Sequence, residues 1–284
     1  MKPGKYTIQE FNQDFPDNSA CLEYLFLSRY KTPTCPKCGR VGQYYRQDDT
    51  SHYICTCGGH QLSPKAGTIF EDSATDLYKW FFAMFLMSKS KNGVSAKELE
   101  RQLGVTYKTA WRMAKQIRSL MKQLPQMFEG VIEADETYMG SRKGGVRVGG
   151  GGTKKTPVIG VTERGGALAA KAVREINRYD VMKVVKSHAK LGSELMTDES
   201  LVYSTAKWAY VHQTVAHTKK EYARGKVHTN TIEGAWSQIK LGMSGTHHSV
   251  SSKHLQSYLD YYVWHWNHRN DESPLFHGLL AQAV

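Results

Sequence analysis

Two close cysteine pairs, "CPKCG" at residues 35–39 and "CTC" at 55–57, constrain the first quarter of this chain more tightly than anything else in it. The stretch from Thr34 to Thr68 is rich in Cys, Gly, Tyr and polar residues, and is too poor in apolar side chains to build a core of its own. A C-x2-C turn lets two thiolates meet one tetrahedral ion, and two such knuckles make a zinc ribbon that folds because the metal holds it. Cys35 and Cys38 form one knuckle, and Cys55 and Cys57 follow after sixteen intervening residues. The second pair is tighter than the usual C-x2-C, and His60 is close enough to replace one of its thiolates. The fourth ligand is therefore open. The fifth cysteine, Cys21, sits among Phe11, Leu22, Tyr24, Leu25 and Leu27 and reads as core.

The 284 residues carry 38 Lys+Arg against 26 Asp+Glu, a formal charge of +12 that favours a polyanionic partner, nucleic acid before others. An apolar fraction of 40% excludes a disordered tail protein. The opening "MKPGKYTIQEFNQDF" lacks the apolar core of a signal peptide, and "WFFAMFLM" at 80–87 is too short to cross a bilayer. A cytoplasmic location is expected, where five cysteines point to metal or free thiols before disulfides.

Periodicity divides the chain into a helical lead-in (1–33), the zinc ribbon (34–69), a strongly helical region (70–128) and an α/β domain (129–284), with the main boundary near Pro125. In the last of these, "GVIEADETYM", "TPVIGVTE" and "GALAAKAV" read as strands. Helices are expected near 180–190, 231–243 and 252–267, with a further one beginning near Ser204. The aromatics of the last helix recur at helical spacing and read as core. The Gly-rich basic stretch 140–155 reads as a loop between strands, and it lacks the Gly-Lys-Ser/Thr ending of a phosphate-cradling loop.

"VSAKELERQLGVTYKTAWRMAKQIRSLM" (94–121) has the outline of a helix-turn-helix. Leu99, Leu103, Ala110, Met113 and Ile117 line the inward faces, Gly104 marks the turn and Thr106 can cap the second helix. That helix would present Tyr107, Lys108, Arg112 and Lys115 to a DNA groove. Residues 87–128 hold nine Lys+Arg against two acids, which favours docking over a merely solvated helix.

Acids stand out in a chain so basic. In "VIEADETYMG" (131–140), alternation puts Glu133 and Asp135 on one face of a strand and Glu136 on the other. Asp198 ends the short apolar run in "ELMTDES". In "VHTNTIEGAWSQIKLGM", helical spacing makes Ile232, Ala235, Trp236, Ile239 and Met243 the packing stripe, with Asn230, Glu233, Ser237 and Lys240 on the flank. Three carboxylates from two strands and a helix can hold two Mg²⁺ or Mn²⁺ ions about 4 Å apart for in-line phosphoryl displacement.

In their order, "CPKCG…GHQLSPKAGTIFEDS…LYKWFFAMFLM", "IEADETYMG", "HTNTIEGAWSQIK" and "SSKHLQSYLDYYVWHWNHRN" resemble the DDE transposases of bacterial insertion sequences, in particular the group with a zinc ribbon ahead of a ribonuclease-H-like, integrase-type catalytic domain. The likeness runs from about Phe11 to Asn270. It implies a metal-dependent polynucleotidyl transferase that cuts at the element's ends and joins them to target DNA. Carried over by position, Asp135, Asp198 and Glu233 are the metal-binding triad, Asn230 the second choice for its third member, and Lys240 a DNA contact near the scissile phosphate. His228 and His217 line or support the site. The implied cofactors are Mg²⁺ or Mn²⁺ at the triad and structural Zn²⁺, and the implied partners are double-stranded DNA (terminal repeats and target) and further copies of the chain. A zinc-ribbon and helix-turn-helix regulator without chemistry, or a nuclease without strand transfer, are the alternatives.

Overall fold

The structure, a computed structural model, describes residues 6–47, 50–140, 155–216 and 223–284. The chain forms two compact units, one of Met1–Ser90, Ala96–Leu120 and Asp271–Val284, the other of Lys91–Ser95 and Met121–Asn270. The sequence division differs at three places, the first being residues 121–128, grouped above with the helical region and belonging to the second unit. Asp271–Val284, grouped above with the α/β domain, belongs to the first unit because α9 (Leu275–Ala281) packs on α3 (Leu77–Lys89). Residues 91–95 belong to the second.

In the first unit, Thr7 and Glu10 close a reciprocal capping box that starts α1 (Ile8–Asp14), and the Asp17 side chain caps α2 (Asn18–Tyr30). The apolar run of α3 is the core: Trp80, Phe81, Ala83 and Met84 are fully buried. Phe11 lies 5.1 Å from Phe85 and 5.6 Å from Phe276, in tilted and edge-on contacts typical of aromatic clusters. Cys21 is buried here, and burial pushes its thiol up to about 12. Three short antiparallel strands, β1 (Tyr44–Arg46), β2 (Tyr53–Cys55) and β3 (Gln61–Leu62), make the small sheet expected of a ribbon. Next come α4 (Ala96–Leu103) and α5 (Tyr107–Leu120), joined at Gly104, whose φ of +59° suits a residue without Cβ. Thr106 Oγ1 accepts the backbone N–H of Thr109, the expected cap.

The second unit is built on a five-stranded sheet in the order β6-β5-β4-β7-β8, from β4 (Val131–Met139), β5 (Thr156–Glu163), β6 (Leu168–Ala172), β7 (Glu194–Asp198) and β8 (Val211–Val215). The first three strands are antiparallel neighbours, whereas β4–β7 and β7–β8 are parallel. A sheet that starts as a meander and ends with parallel additions is the mixed α/β, ribonuclease-H-like arrangement. On one face, α6 (Arg178–His188) covers a core of Ile132, Ala134, Ile159, Val161 and Leu195. On the other lies α7 (Asn230–Gly242), which approaches so closely that a Cβ on Gly160 would stand 2.3 Å from the Trp236 ring. The edge strand β6 is closed by α8 (Ser252–Asn267): Asn267 pairs with the N–H and C=O of Leu168, and Gln256 spans Ala172 N–H and Ala170 C=O. Two side-chain amides thus stand in for a sixth strand.

The helix expected from Ser204 is absent. Leu201–Tyr203 and Ala206–Trp208 are single 3-10 turns, with Leu201 and Trp208 more than three-quarters exposed, so no continuous apolar face exists to bury a longer helix. The loop expected over 140–155 lies, for residues 141–154, outside the described residues.

Candidate active site

The parallel register of β4 and β7 pairs Val131 with Glu194 and Glu133 with Met196. At that constant offset Asp135 falls beside Asp198, and the two point to the same side of the sheet, the side that α7 covers. Asp135 Oδ2 accepts the indole N–H of Trp236 at 3.0 Å. Burial first, and then the charges of Glu136 and Asp198, push the Asp135 carboxyl up to about 7 from its usual 3.8. An acid raised by neighbouring acids marks a local excess of negative charge, and hard oxygen donors in such a cluster fit a divalent cation.

Glu133, on the same face, is fully buried and has a different task. Its carboxylate accepts the backbone N–H groups of Thr231 and Ile232 at 2.8 and 3.0 Å and the Thr231 hydroxyl at 3.0 Å, so it caps the first turn of α7. Arg164 Nε donates to it at 2.9 Å, while the other guanidinium nitrogens donate to the carbonyls of Lys226 and His228. The His228 ring lies in this cluster, with Nδ1 3.2 Å from Arg164 and 3.4 Å from Glu133. Of the two histidines expected to line or support the site, His228 braces the entry to α7, and His217 lies outside the described residues.

Glu136, assigned by alternation to the opposite face, accepts the Tyr203 hydroxyl at 2.6 Å, with the Ser200 side chain beside it helping to hold its carboxyl down. Burial, and to a lesser extent the Asp198 charge, raises its carboxyl. Sequence spacing gave no sign of this, because Tyr203 is 67 positions away.

On α7, Glu233, Trp236 and Lys240 follow one another at i, i+3 and i+7 and share a side of the helix. Glu233 is exposed, and its carboxylate accepts the Thr229 hydroxyl at 2.7 Å. Asn230, the alternative third ligand, is exposed at the first position of α7. Burial lowers the Lys240 ammonium, against the opposing pull of Asp135. Lys240 and Lys155 flank a cavity of about 390 Å³ whose floor includes Tyr138, Met139 and Met243. Asp135, Asp198 and Glu233 do not close to the 4.8 Å spacing that the cysteines reach; the structure brings Asp135 and Asp198 together and leaves Glu233 at the rim.

Among the described residues, Cys35, Cys38, Cys55 and Cys57 form the group whose ligating atoms all lie within 4.8 Å of one another. Cys35–Cys57 and Cys38–Cys55 are each 3.7 Å apart. That matches the edge, about 3.8 Å, of a tetrahedron with Zn–S bonds of ~2.3 Å. The tight C-x-C works because Cys55 ends a strand and the chain turns at once, with Gly58 N–H donating to the Cys55 carbonyl at 2.7 Å. His60 is not a member of the group: its Nδ1 lies 2.8 Å from the Tyr44 hydroxyl. Four cysteines fit zinc.

On the helix-turn-helix, Lys108 and Lys115 are exposed as expected. Arg112 is not turned outward: its guanidinium donates to Ser73 Oγ at 3.0 Å and lies over the Trp80 ring, because an aromatic face and a hydroxyl acceptor are within its reach.

Residues 127–267, which span the whole sheet with α6, α7 and α8, match the family model described as ISXO2-like transposase domain. An "uncharacterized protein in transposable element ISH50" from Halobacterium salinarum is 29% identical over 248 residues, 79% of this chain and 82% of that protein. Among solved structures, a simian T-cell lymphotropic virus intasome in complex with PP2A regulatory subunit B56 gamma is similar at a TM-score of 0.34 and 12% identity, over 62% of this chain and 66% of that one. The Mos1 strand transfer complex is similar at a TM-score of 0.29 and 10% identity, over 72% of this chain and 74% of that one. The likeness over residues 127–267 agrees with the insertion-sequence resemblance carried by the sequence pattern. No helix among the described residues is long and apolar enough to cross a membrane.

Proposed function

We propose that this transposase cuts double-stranded DNA at the ends of its element and joins them to a target, with Asp135, Asp198 and Glu233 as the carboxylates that hold two Mg²⁺ or Mn²⁺ ions. The observation that carries this reading is the placement of Asp135 beside Asp198 on neighbouring parallel strands, where burial first, and then the charges of Glu136 and Asp198, raise the Asp135 carboxyl to about 7. Divalent cations bound there supply charge stabilisation to the attacking and leaving oxygens of an in-line displacement. The Trp236 N–H holds one oxygen, Oδ2, of the Asp135 carboxylate. Glu233 sits one turn before Trp236 on the same side of α7 and is the third carboxylate of this reading; Asn230 is the alternative donor. Lys240, one turn after Trp236, offers an ammonium to the phosphate backbone beside the acids. The exposed Lys108 and Lys115 on α5 give the duplex a basic helix to dock against, and the four cysteines hold zinc in the ribbon. Acting on two ends requires at least two copies of the chain.

The test is end cleavage and joining in Mg²⁺, comparing the parent protein with Asp135→Asn, Asp198→Asn and Glu233→Gln. Each folded variant is expected to bind duplex DNA and lose both steps. Full activity in any one removes that residue from the triad, and full activity in Glu233→Gln with loss in Asn230→Ala hands the third place to Asn230. Cleavage that never produces joined strands marks a nuclease.

A further inference from the structure

The acid that follows Asp135 in the chain has no role in this reading, yet it is held as firmly as the acids that do. Tyr203 is fully buried in the core between the sheet and α6, and its hydroxyl donates to Glu136 Oε2 at 2.6 Å. Ser200 lies between the two acids: its side chain faces Glu136 and helps hold that carboxyl down, and its backbone N–H donates to Asp198 Oδ1 at 3.0 Å. From the other side of Asp198, the buried Thr197 hydroxyl donates to the Asp198 carbonyl at 2.7 Å. The turn that runs from Asp198 to Tyr203 is thus tied through the Tyr203 hydroxyl to one carboxylate on β4, with the Ser200 side chain beside it.

We infer that Glu136 is a positioning residue: through Ser200 and Tyr203 it fixes the turn after β7, so that Asp198 keeps its carboxylate beside Asp135. The inference rests on the proposed metal role of Asp135 and Asp198. The β4–β7 ladder ends at Glu133 and Met196, so Asp198, the last residue of β7, is paired only with Val215 of β8, and its β4 side lacks ladder bonds at this point. A rigid acceptor anchored to the core replaces the missing ladder. The Tyr203 hydroxyl donates to this side chain with the Ser200 side chain beside it, and a carboxylate offers acceptor positions without presenting a donor of its own. Partners that orient metal ligands from behind commonly change metal affinity by 10–100-fold when removed.

The test is Mn²⁺ binding to the zinc-loaded full chain, followed by calorimetry and by the Mn²⁺ electron paramagnetic resonance signal, with thermal unfolding alongside. Tyr203→Phe and Glu136→Gln are each expected to weaken Mn²⁺ about tenfold or more at a nearly unchanged melting temperature. The double variant should be no weaker than the worse single, because both break one link. Ser200→Ala, which keeps the N–H and folds whatever the core variants do, should lose affinity in the same direction by a smaller factor. Asp135→Asn is the reference. If it binds Mn²⁺ like the parent, the metal reading fails and the inference with it. If Asp135→Asn loses Mn²⁺ while Ser200→Ala and the folded Glu136 and Tyr203 variants stay within twofold of the parent, only the positioning role of Glu136 is overturned.

Discussion

Trp236 donates its indole N–H to Asp135 Oδ2 at 3.0 Å, across the gap that Gly160 leaves between β5 and α7. A hydrogen bond to a charged acceptor contributes about 1.5–3 kcal/mol. Trp236→Phe keeps most of the packing and deletes this donor. The expected result is a rise of about tenfold or more in the Mg²⁺ concentration needed for half-maximal end cleavage, together with a further upward shift of the Asp135 carboxyl. Half-maximal Mg²⁺ unchanged from the parent would reduce Trp236 to packing.

The raised Asp135 carboxyl makes stability depend on pH in a definite direction. Because burial and the adjacent acids lift it to about 7 in the folded chain, the folded state holds a proton that the unfolded chain releases near 3.8. Its contribution is complete below about pH 4 and is lost as pH rises through about 7, a change on the order of a few kcal/mol. Without divalent cations, the melting temperature of the parent should therefore fall between pH 5 and 8 relative to Asp135→Asn, and Mg²⁺ should restore it most at the alkaline end. Parallel pH profiles for the two proteins would show that Asp135 is not the group responsible.

The elements that hold the site were largely legible in the sequence, and the links between them were not. Strand β5 occupies the same eight residues, Thr156–Glu163, that its apolar pattern marked, and α7 and α8 lie where their stripes placed them. Such patterns are local consequences of burial, with a period that composition reveals. The roles of Glu133 and Glu136 depend on partners that are 98 and 67 positions away, and no spacing rule reaches that far. Arg112 shows the converse. Helical spacing gave its direction from the axis, but Ser73 and Trp80, which it turns back to meet, belong to a different stretch of chain. The segment after Asp198 misled through composition, since Val202, Tyr203 and Ala206 are apolar enough for a helix yet are buried by two separate 3-10 turns.

Glu133 and Arg164 make a buried pair whose loss should be felt along α7. Removing one partner of such a pair costs about 3–5 kcal/mol, because the other is left uncompensated. Glu133→Ala should destabilise the second unit by about that amount in urea unfolding, and Arg164→Ala by less, since Arg164 is a quarter exposed. The double variant should recover part of the sum, a coupling that marks direct interaction. Strictly additive losses would mean that Glu133 acts through the Thr231 and Ile232 amides alone.

The cysteine cluster makes the last distinction, between Cys57 and His60 as the fourth ligand. The sulfur atoms are already at tetrahedral spacing, and His60 is occupied by Tyr44, so metal content should follow the thiols. Cys35→Ser and Cys57→Ser are each expected to drop bound zinc well below one per chain and to expose residues 34–62 to hydrogen exchange, since three short strands cannot hold that segment without the ion. His60→Ala should keep one zinc per chain and lose only the Tyr44 contact, a change of about 1 kcal/mol or less. A zinc content that fell in His60→Ala and survived in Cys57→Ser would reverse the assignment and place the imidazole in the coordination shell.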